Sequence, residues 1–217
     1  MSVSARQKAP KAPGRPEGGS HARETILKVA RDLFADKGYA GTTFKMISEK
    51  VGVTNALLTY YFGSKEKLHE EIYLQTAGKI GSMRLQRLAE VTDSGGGLPE
   101  LLASFIAPLL ELVATEDGAA FLRFQWRVES EPPELSFRLR HKAYDESTRA
   151  YVKAITAIRP ELSEETCFAR IACIVGATNY AISSRHRLDI LLPGVSQKEG
   201  TLHILTELKH NAYKYFL

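Results

Sequence analysis

The stretch from Thr42 to Leu68, TTFKMISEKVGVTNALLTYYFGSKEKL, limits what this chain can fold into more than any other. Hydroxyl residues stand where helices begin, and two glycines stand where helices must end. Thr42 or Thr43 N-caps a helix that carries Phe44, Ile47 and Val51 on one face. Gly52 stops that helix, because the left-handed conformation after a last turn is cheap only for glycine. Thr54 caps a second short helix, with Leu57, Leu58, Tyr61 and Phe62 as its apolar or aromatic positions. Gly63 ends it, and Ser64 caps the next helix, which begins KEKLHEEI. Two short helices around a glycine turn form a helix-turn-helix, a unit whose second helix fits a DNA major groove. The unit is too small to bury a core of its own. A helix before it is expected over Glu24 to Lys37, with Ile26, Leu27, Ala30, Leu33 and Phe34 on the buried side and Gly38 closing it. A helix after it is expected from Lys65 towards Val91.

Over HARETILKVARDLFADKGYAGTTFKMISEKVGVTNALLTYYFGSKEKL the chain resembles the N-terminal domain of TetR-family transcriptional regulators. The resemblance rests on an ordered set: FADKGY at the end of helix one, the TT start of helix two, the GVT turn, the YYF end of helix three and the SKEKL start of helix four. Thr59 stands where many members carry an aromatic residue, and Ala56 where many carry Gly. The resemblance implies phosphate contacts at Thr43, Tyr61 and Lys65. The residues themselves support it, since Thr43 lies at a helix N-terminus, Lys65 offers a charge, and Tyr60 and Tyr61 can donate phenol hydrogens. Base reading falls to the exposed start of helix three. There Asn55 can pair adenine, Thr54 lies alongside, and the methyls of Ala56 and Thr59 can pack on thymine.

Charge supports this division. Residues 1–69 hold twelve Lys and Arg against six Asp and Glu, while the remainder holds seventeen against nineteen. A basic front part facing phosphates and a near-neutral rear part facing something else follow from that asymmetry. Residues 1–20, rich in Pro and Gly and without apolar periodicity, are expected to form a disordered basic tail. Arg6, Lys8, Lys11 and Arg15 can trail along DNA, and the Gly14–Pro16 triplet is like a minor-groove arm, but a plain flexible tail is the preferred reading. The N-terminus has no apolar h-region and no stretch approaches a membrane span, so a cytoplasmic protein without membrane contact is expected.

The rear part reads as helical throughout, which makes the expected fold class all-α. A three-helix DNA-binding domain over 21–69 precedes a larger helical ligand-binding and dimerisation domain over 70–217. Pro108 is expected to kink or shorten a helix that starts near Leu98. Gly78 and Gly81 mark either a softened segment of helix four or a close approach to another helix. Phe105, Phe121, Phe124, Trp126, Phe137, Tyr144 and Asn179 are the candidates to line a pocket for a small, largely apolar effector, though ordinary core is the simpler reading of each aromatic. Arg123 and Arg127 either orient a ligand or pair with Glu129 and Glu131 at the surface. The latter is preferred. Cys167 and Cys173 read as reduced core residues, since a zinc site needs more ligands at recognisable spacing. His141 and Asp145 lie four apart, yet no third ligand, nucleophile or phosphate loop accompanies them, so neither catalysis nor a cofactor is expected. The helices at 164–184 and 201–216 are expected to pair with their twins in a homodimer. The whole reads as a DNA-binding regulator, most simply a repressor released from an operator by a ligand. A ligand-independent regulator, an activator and a helical protein-interaction module are the alternatives.

Overall fold

The structure, a computed structural model, describes residues 18–183, 187, 190–191 and 193–217. The basic tail expected at the N-terminus lies, up to residue 17, outside the described residues. Among the described residues the helices are, in order, α1 (Gly18–Gly41), α2 (Phe44–Val51), α3 (Asn55–Phe62), α4 (Lys65–Asp93), α5 (Leu98–Ala114), α6 (Glu116–Glu129), α7 (Pro133–Ile158), α8 (Glu164–Ser183) and α9 (Gln197–Asn211). A short 3-10 turn (Ala212–Phe216) ends the chain, and no strand occurs among the described residues.

The cap chemistry of the helix-turn-helix is what the sequence requires. The hydroxyls of Thr43, Thr54 and Ser64 each accept from the backbone N–H three residues on, at 3.2 Å in every case. Thr42 has a different task from Thr43. It is buried and donates to the carbonyls of Leu33 and Gly38, tying off the end of α1. Gly52 takes the left-handed conformation (φ 80°, ψ 33°) and sends its N–H back to the Ser48 carbonyl, so α2 turns sharply into α3.

Head and body share one core. Ile26, Phe34, Ile47, Leu58 and Phe62 of the first three helices join Leu68, Ile72 and Tyr73 of α4 and Phe121, Phe124 and Val128 of α6 in one buried cluster. A second cluster fills the far end, around Leu102, Phe105, Tyr151, Ile155, Ile171 and Phe216. Helix α4 runs through both and packs most extensively on α7. Its glycines differ in purpose. A Cβ on Gly81 would sit 2.5 Å from the Ala143 carbonyl oxygen, so glycine is what lets α4 and α7 touch, whereas nothing lies near Gly78. Helix α5 continues past Pro108 to Ala114, so the proline does not end it early. Pro108 is buried, and packing of this apolar helix against α4, α6 and α9 outweighs the roughly 3 kcal/mol cost of an internal proline.

Candidate DNA-contact surface and ligand cavity

Helix α3 buries Leu58 and Phe62 and presents Asn55, Ala56, Thr59 and Tyr60 outward, with Thr54 exposed at its cap. Residues at i, i+1, i+4 and i+5 lie on one helix face, so these four form a continuous strip. Tyr60 is the most exposed large hydrophobic side chain among the described residues, at 82%. The Thr59 hydroxyl spends its hydrogen on the Asn55 carbonyl, which leaves its methyl and oxygen lone pairs for an incoming base. Thr43 is exposed at the start of α2. Tyr61 is half-buried against the core, its ring beside those of Tyr60 and Phe62.

Lys65 is committed inside the protein. Its ammonium donates to the carbonyls of Tyr39 (2.8 Å) and Thr42 (3.0 Å) and lies 4.2 Å from the centre of the Tyr39 ring. It therefore splints the α1–α2 link, with one donor left for a phosphate. The same link is held from the body. The Glu131 carboxylate, just past α6, accepts from the Tyr39 N–H at 2.7 Å. The Arg127 and Glu131 side chains pack directly against Gly38, where α1 breaks (φ 72°). Tyr39 is thus gripped at its N–H by one domain and at its carbonyl by another.

Beside this junction His69 is 1% exposed, edge-on to Phe34, Tyr39 and Phe124 at 4.7–5.1 Å. Its Nδ1 has no hydrogen-bond partner. Burial, then the charges of Lys65 and Arg138, lower its pKa to about 4, so the ring is neutral.

A cavity of about 390 Å³ lies between α4, α5, α6, α7 and α8. That is within the range of small-ligand sites. Its wall is mostly apolar, with Leu109, Ile171, Val175 and Ile182, and a few polar groups converge on it. The Tyr144 hydroxyl donates to Gln125 Oε1 at 3.0 Å, and Glu129 pairs with Arg140 at 3.0 Å. Burial raises the Glu129 pKa while Arg140 opposes the rise.

Of the seven residues expected to line a pocket, Tyr144 and Asn179 do so. Phe105, Phe121 and Phe124 are solid core. Trp126 and Phe137 are corrections of the opposite kind: they are 41% and 66% exposed, and neither borders the cavity. On α6 the buried positions include Phe121, Phe124 and Val128, with Gln125 partly buried between them, and the residue after Gln125 is turned some 100° away from it. Arg127 packs at Gly38, and Glu129 and Glu131 find other partners than the arginines expected for them. Cys167 is buried, but Cys173 is exposed on α8 rather than in the core. His141 and Asp145 form an exposed pair at 2.7 Å, and no metal-holding group of three occurs among the described residues.

Arg84 was not among the expected lining residues, yet it forms part of the cavity wall. The sequence carried a signal. The buried stripe of α4 reads Ala77, Ile80, Gly81, Arg84, Leu88, which puts an arginine where the helical period demands an apolar side chain.

A capped helix-turn-helix with an exposed strip on its second helix thus shares its core with a helical body that holds a cavity. Two family models agree: "Bacterial regulatory proteins, tetR family" matches residues 26–72, and "Tetracyclin repressor-like, C-terminal domain" matches residues 103–210. The chain belongs to the TetR family. The transcriptional repressor KstR2 of Mycolicibacterium smegmatis is 34% identical over 61 residues, covering 28% of this chain and 30% of KstR2. The repressor AcnR of Corynebacterium efficiens is 33% identical over 86 residues, covering 40% and 41%. The chain thus spans less than half the length of these curated relatives. A TetR-family regulator from Shewanella sp. PV-4 has the same fold, with a TM-score of 0.61 at 20% identity, covering 88% of this chain and 97% of that one. Another, from Bordetella parapertussis, has a TM-score of 0.61 at 18% identity, covering 86% and 93%. No single helix among the described residues is long and apolar enough to cross a membrane.

Proposed function

We propose that this chain is a cytoplasmic transcriptional repressor that binds a pseudo-palindromic operator as a homodimer and is released when a small molecule fills the cavity. The observation that carries the release is the double role of α6 and the residues just after it. Gln125 and Glu129 wall the cavity, while Glu131 holds the Tyr39 N–H of the DNA-binding head. A ligand that displaces α6 therefore displaces α1 and α2 with it. In a dimer, such a motion changes the separation of two α3 helices that must meet half-sites about 34 Å apart.

Thr43, Tyr60, Tyr61 and the remaining donor of Lys65 contact phosphates in this reading, and Thr54, Asn55, Ala56 and Thr59 read bases. The dimer forms through α8 and α9. On α8 a strip of Phe168, Ala172, Cys173, Gly176 and Tyr180 is exposed in the single chain, with small residues that permit close approach. Selection of bound fragments from genomic DNA tests the proposal. The expected product is an inverted repeat protected as a dimer, with affinity lowered by effector and effector affinity lowered reciprocally by operator. Failure to enrich any inverted repeat refutes operator binding. Operator affinity indifferent to cavity occupancy refutes release.

A further inference from the structure

One buried polar group in the cavity wall is a cation without a counter-ion among the described residues. Arg84 is 5% exposed. Its Nε donates to the Phe105 carbonyl at 2.9 Å, and its guanidinium lies 3.7 Å from the centre of the Phe105 ring and 5.6 Å from that of Tyr144. Those contacts fix its plane. They offer no negative charge, and no carboxylate pairs with it among the described residues. Burying an ion unpaired costs several kcal/mol even after relaxation, and buried charges in proteins are otherwise paired. Desolvation here is strong enough to lower the Arg84 pKa to about 10.

The acids that border the same cavity are already engaged. Glu129 is paired with Arg140 at 3.0 Å, and Asp145 is held by His141 at 2.7 Å and Arg149 at 3.4 Å. The charge left over at the cavity is therefore positive. The two terminal nitrogens of Arg84 present parallel donors, the geometry that a planar carboxylate accepts in bidentate fashion. Gln125, whose oxygen takes the Tyr144 hydrogen, keeps its amide donors for the same group. Beyond them the wall is mostly apolar, with Leu109, Ile171, Val175 and Ile182.

We propose that the cavity binds a small molecule with a carboxylate head and an apolar body, the carboxylate seated on Arg84. This rests on the reading of the cavity as an effector site and adds the chemical class of the effector. The head neutralises the buried guanidinium, and the body displaces water from the aliphatic wall of α8.

The test compares octanoate, octan-1-ol and octyltrimethylammonium by thermal shift and calorimetry on the full chain, at up to millimolar concentration. Octanoate is expected to bind and raise the melting temperature. The alcohol and the cation are expected to bind at least about tenfold more weakly, the factor that one charge-assisted hydrogen-bonded pair supplies. Arg84→Met should remove the preference for octanoate without weakening the alcohol, and Arg84→Lys, which keeps the charge but loses the fork, should retain part of it. Equal binding of the three probes overturns the proposal and leaves the cavity open to effectors of other chemistry. So does a preference for the cation, an undiminished preference in Arg84→Met, or no binding of octanoate. Should Arg84→Met fail to fold, the three-probe comparison on the native chain decides alone. Whether bound octanoate also releases operator DNA is a separate readout. Binding through Arg84 without release would sink the effector reading and uphold this site.

Discussion

Acid should weaken this protein through one histidine. His69 titrates near 6.5 in an unfolded chain and near 4 in the fold, because its buried ring faces Phe34, Tyr39 and Phe124 and the charges of Lys65 and Arg138. The native state refuses a proton that the unfolded state accepts. Its contribution is therefore nil above pH 6.5 and becomes a penalty as pH falls below that value. It saturates below pH 4, where both states are protonated. Linkage gives a loss of about 2 kcal/mol at pH 5 and about 3 kcal/mol at pH 4 from this group alone. Other groups titrate over the same range, so the quantity to measure is a difference. Urea unfolding of the native chain and of His69→Phe at pH 7 and pH 5 supplies it. The variant should lose about 2 kcal/mol less than the native chain between the two pH values, whatever its stability at pH 7. Equal losses would refute the reasoning and place a proton, or a compensating water, on the buried Nδ1.

Asn55→Ala should change the preferred operator sequence at one base position, at about 1–3 kcal/mol, and leave the salt slope unchanged; selection from randomised DNA measures the first and titrations at several salt concentrations the second. Lys65→Ala should cost about 1–3 kcal/mol of stability in urea, because two carbonyls in the α1–α2 link lose a charged donor. Gly81→Ala should destabilise by about 1–3 kcal/mol, since a Cβ there meets the Ala143 carbonyl oxygen and the two helices must separate. Trp126 emission should stay almost unchanged when the cavity fills, because the indole lies on the outer face of α6.

The head was legible in the chain because its determinants are local. Caps at Thr43, Thr54 and Ser64 and a left-handed Gly52 act within a turn of themselves, and each does in the structure what its residue type demands. Thr42 was harder, because its hydroxyl closes the helix before it rather than opening the one after it. The cavity was poorly legible. Aromatic type was a misleading guide, since a Phe fills a core as readily as it lines a pocket, and Trp126 differs from its inward neighbour by one residue of helical phase. The better signal was a misfit of type and period: Arg84 on a buried stripe. Lys65 shows the same limit in reverse. Its place at a helix start points to a phosphate contact, but nothing local shows that two of its three donors are held by the carbonyls of Tyr39 and Thr42, which are distant in sequence.

The double grip on Tyr39 bears on how such regulators can be recombined. Residues 18–64 look like a detachable reading head, and grafting them onto another sensing body would be an obvious way to rewire a genetic circuit. The contacts say that the severable unit is larger. A transplanted head would arrive without Glu131 to hold the Tyr39 amide and, if cut before helix four, without Lys65 to hold its carbonyl. It would also leave behind Phe121, Phe124 and Val128, which complete its core, and with them the link by which the proposed release reaches the head. On the proposed coupling, a chimera must carry the body-side carboxylate along with the head, so the compatible parts list is written in pairs of residues rather than in domains.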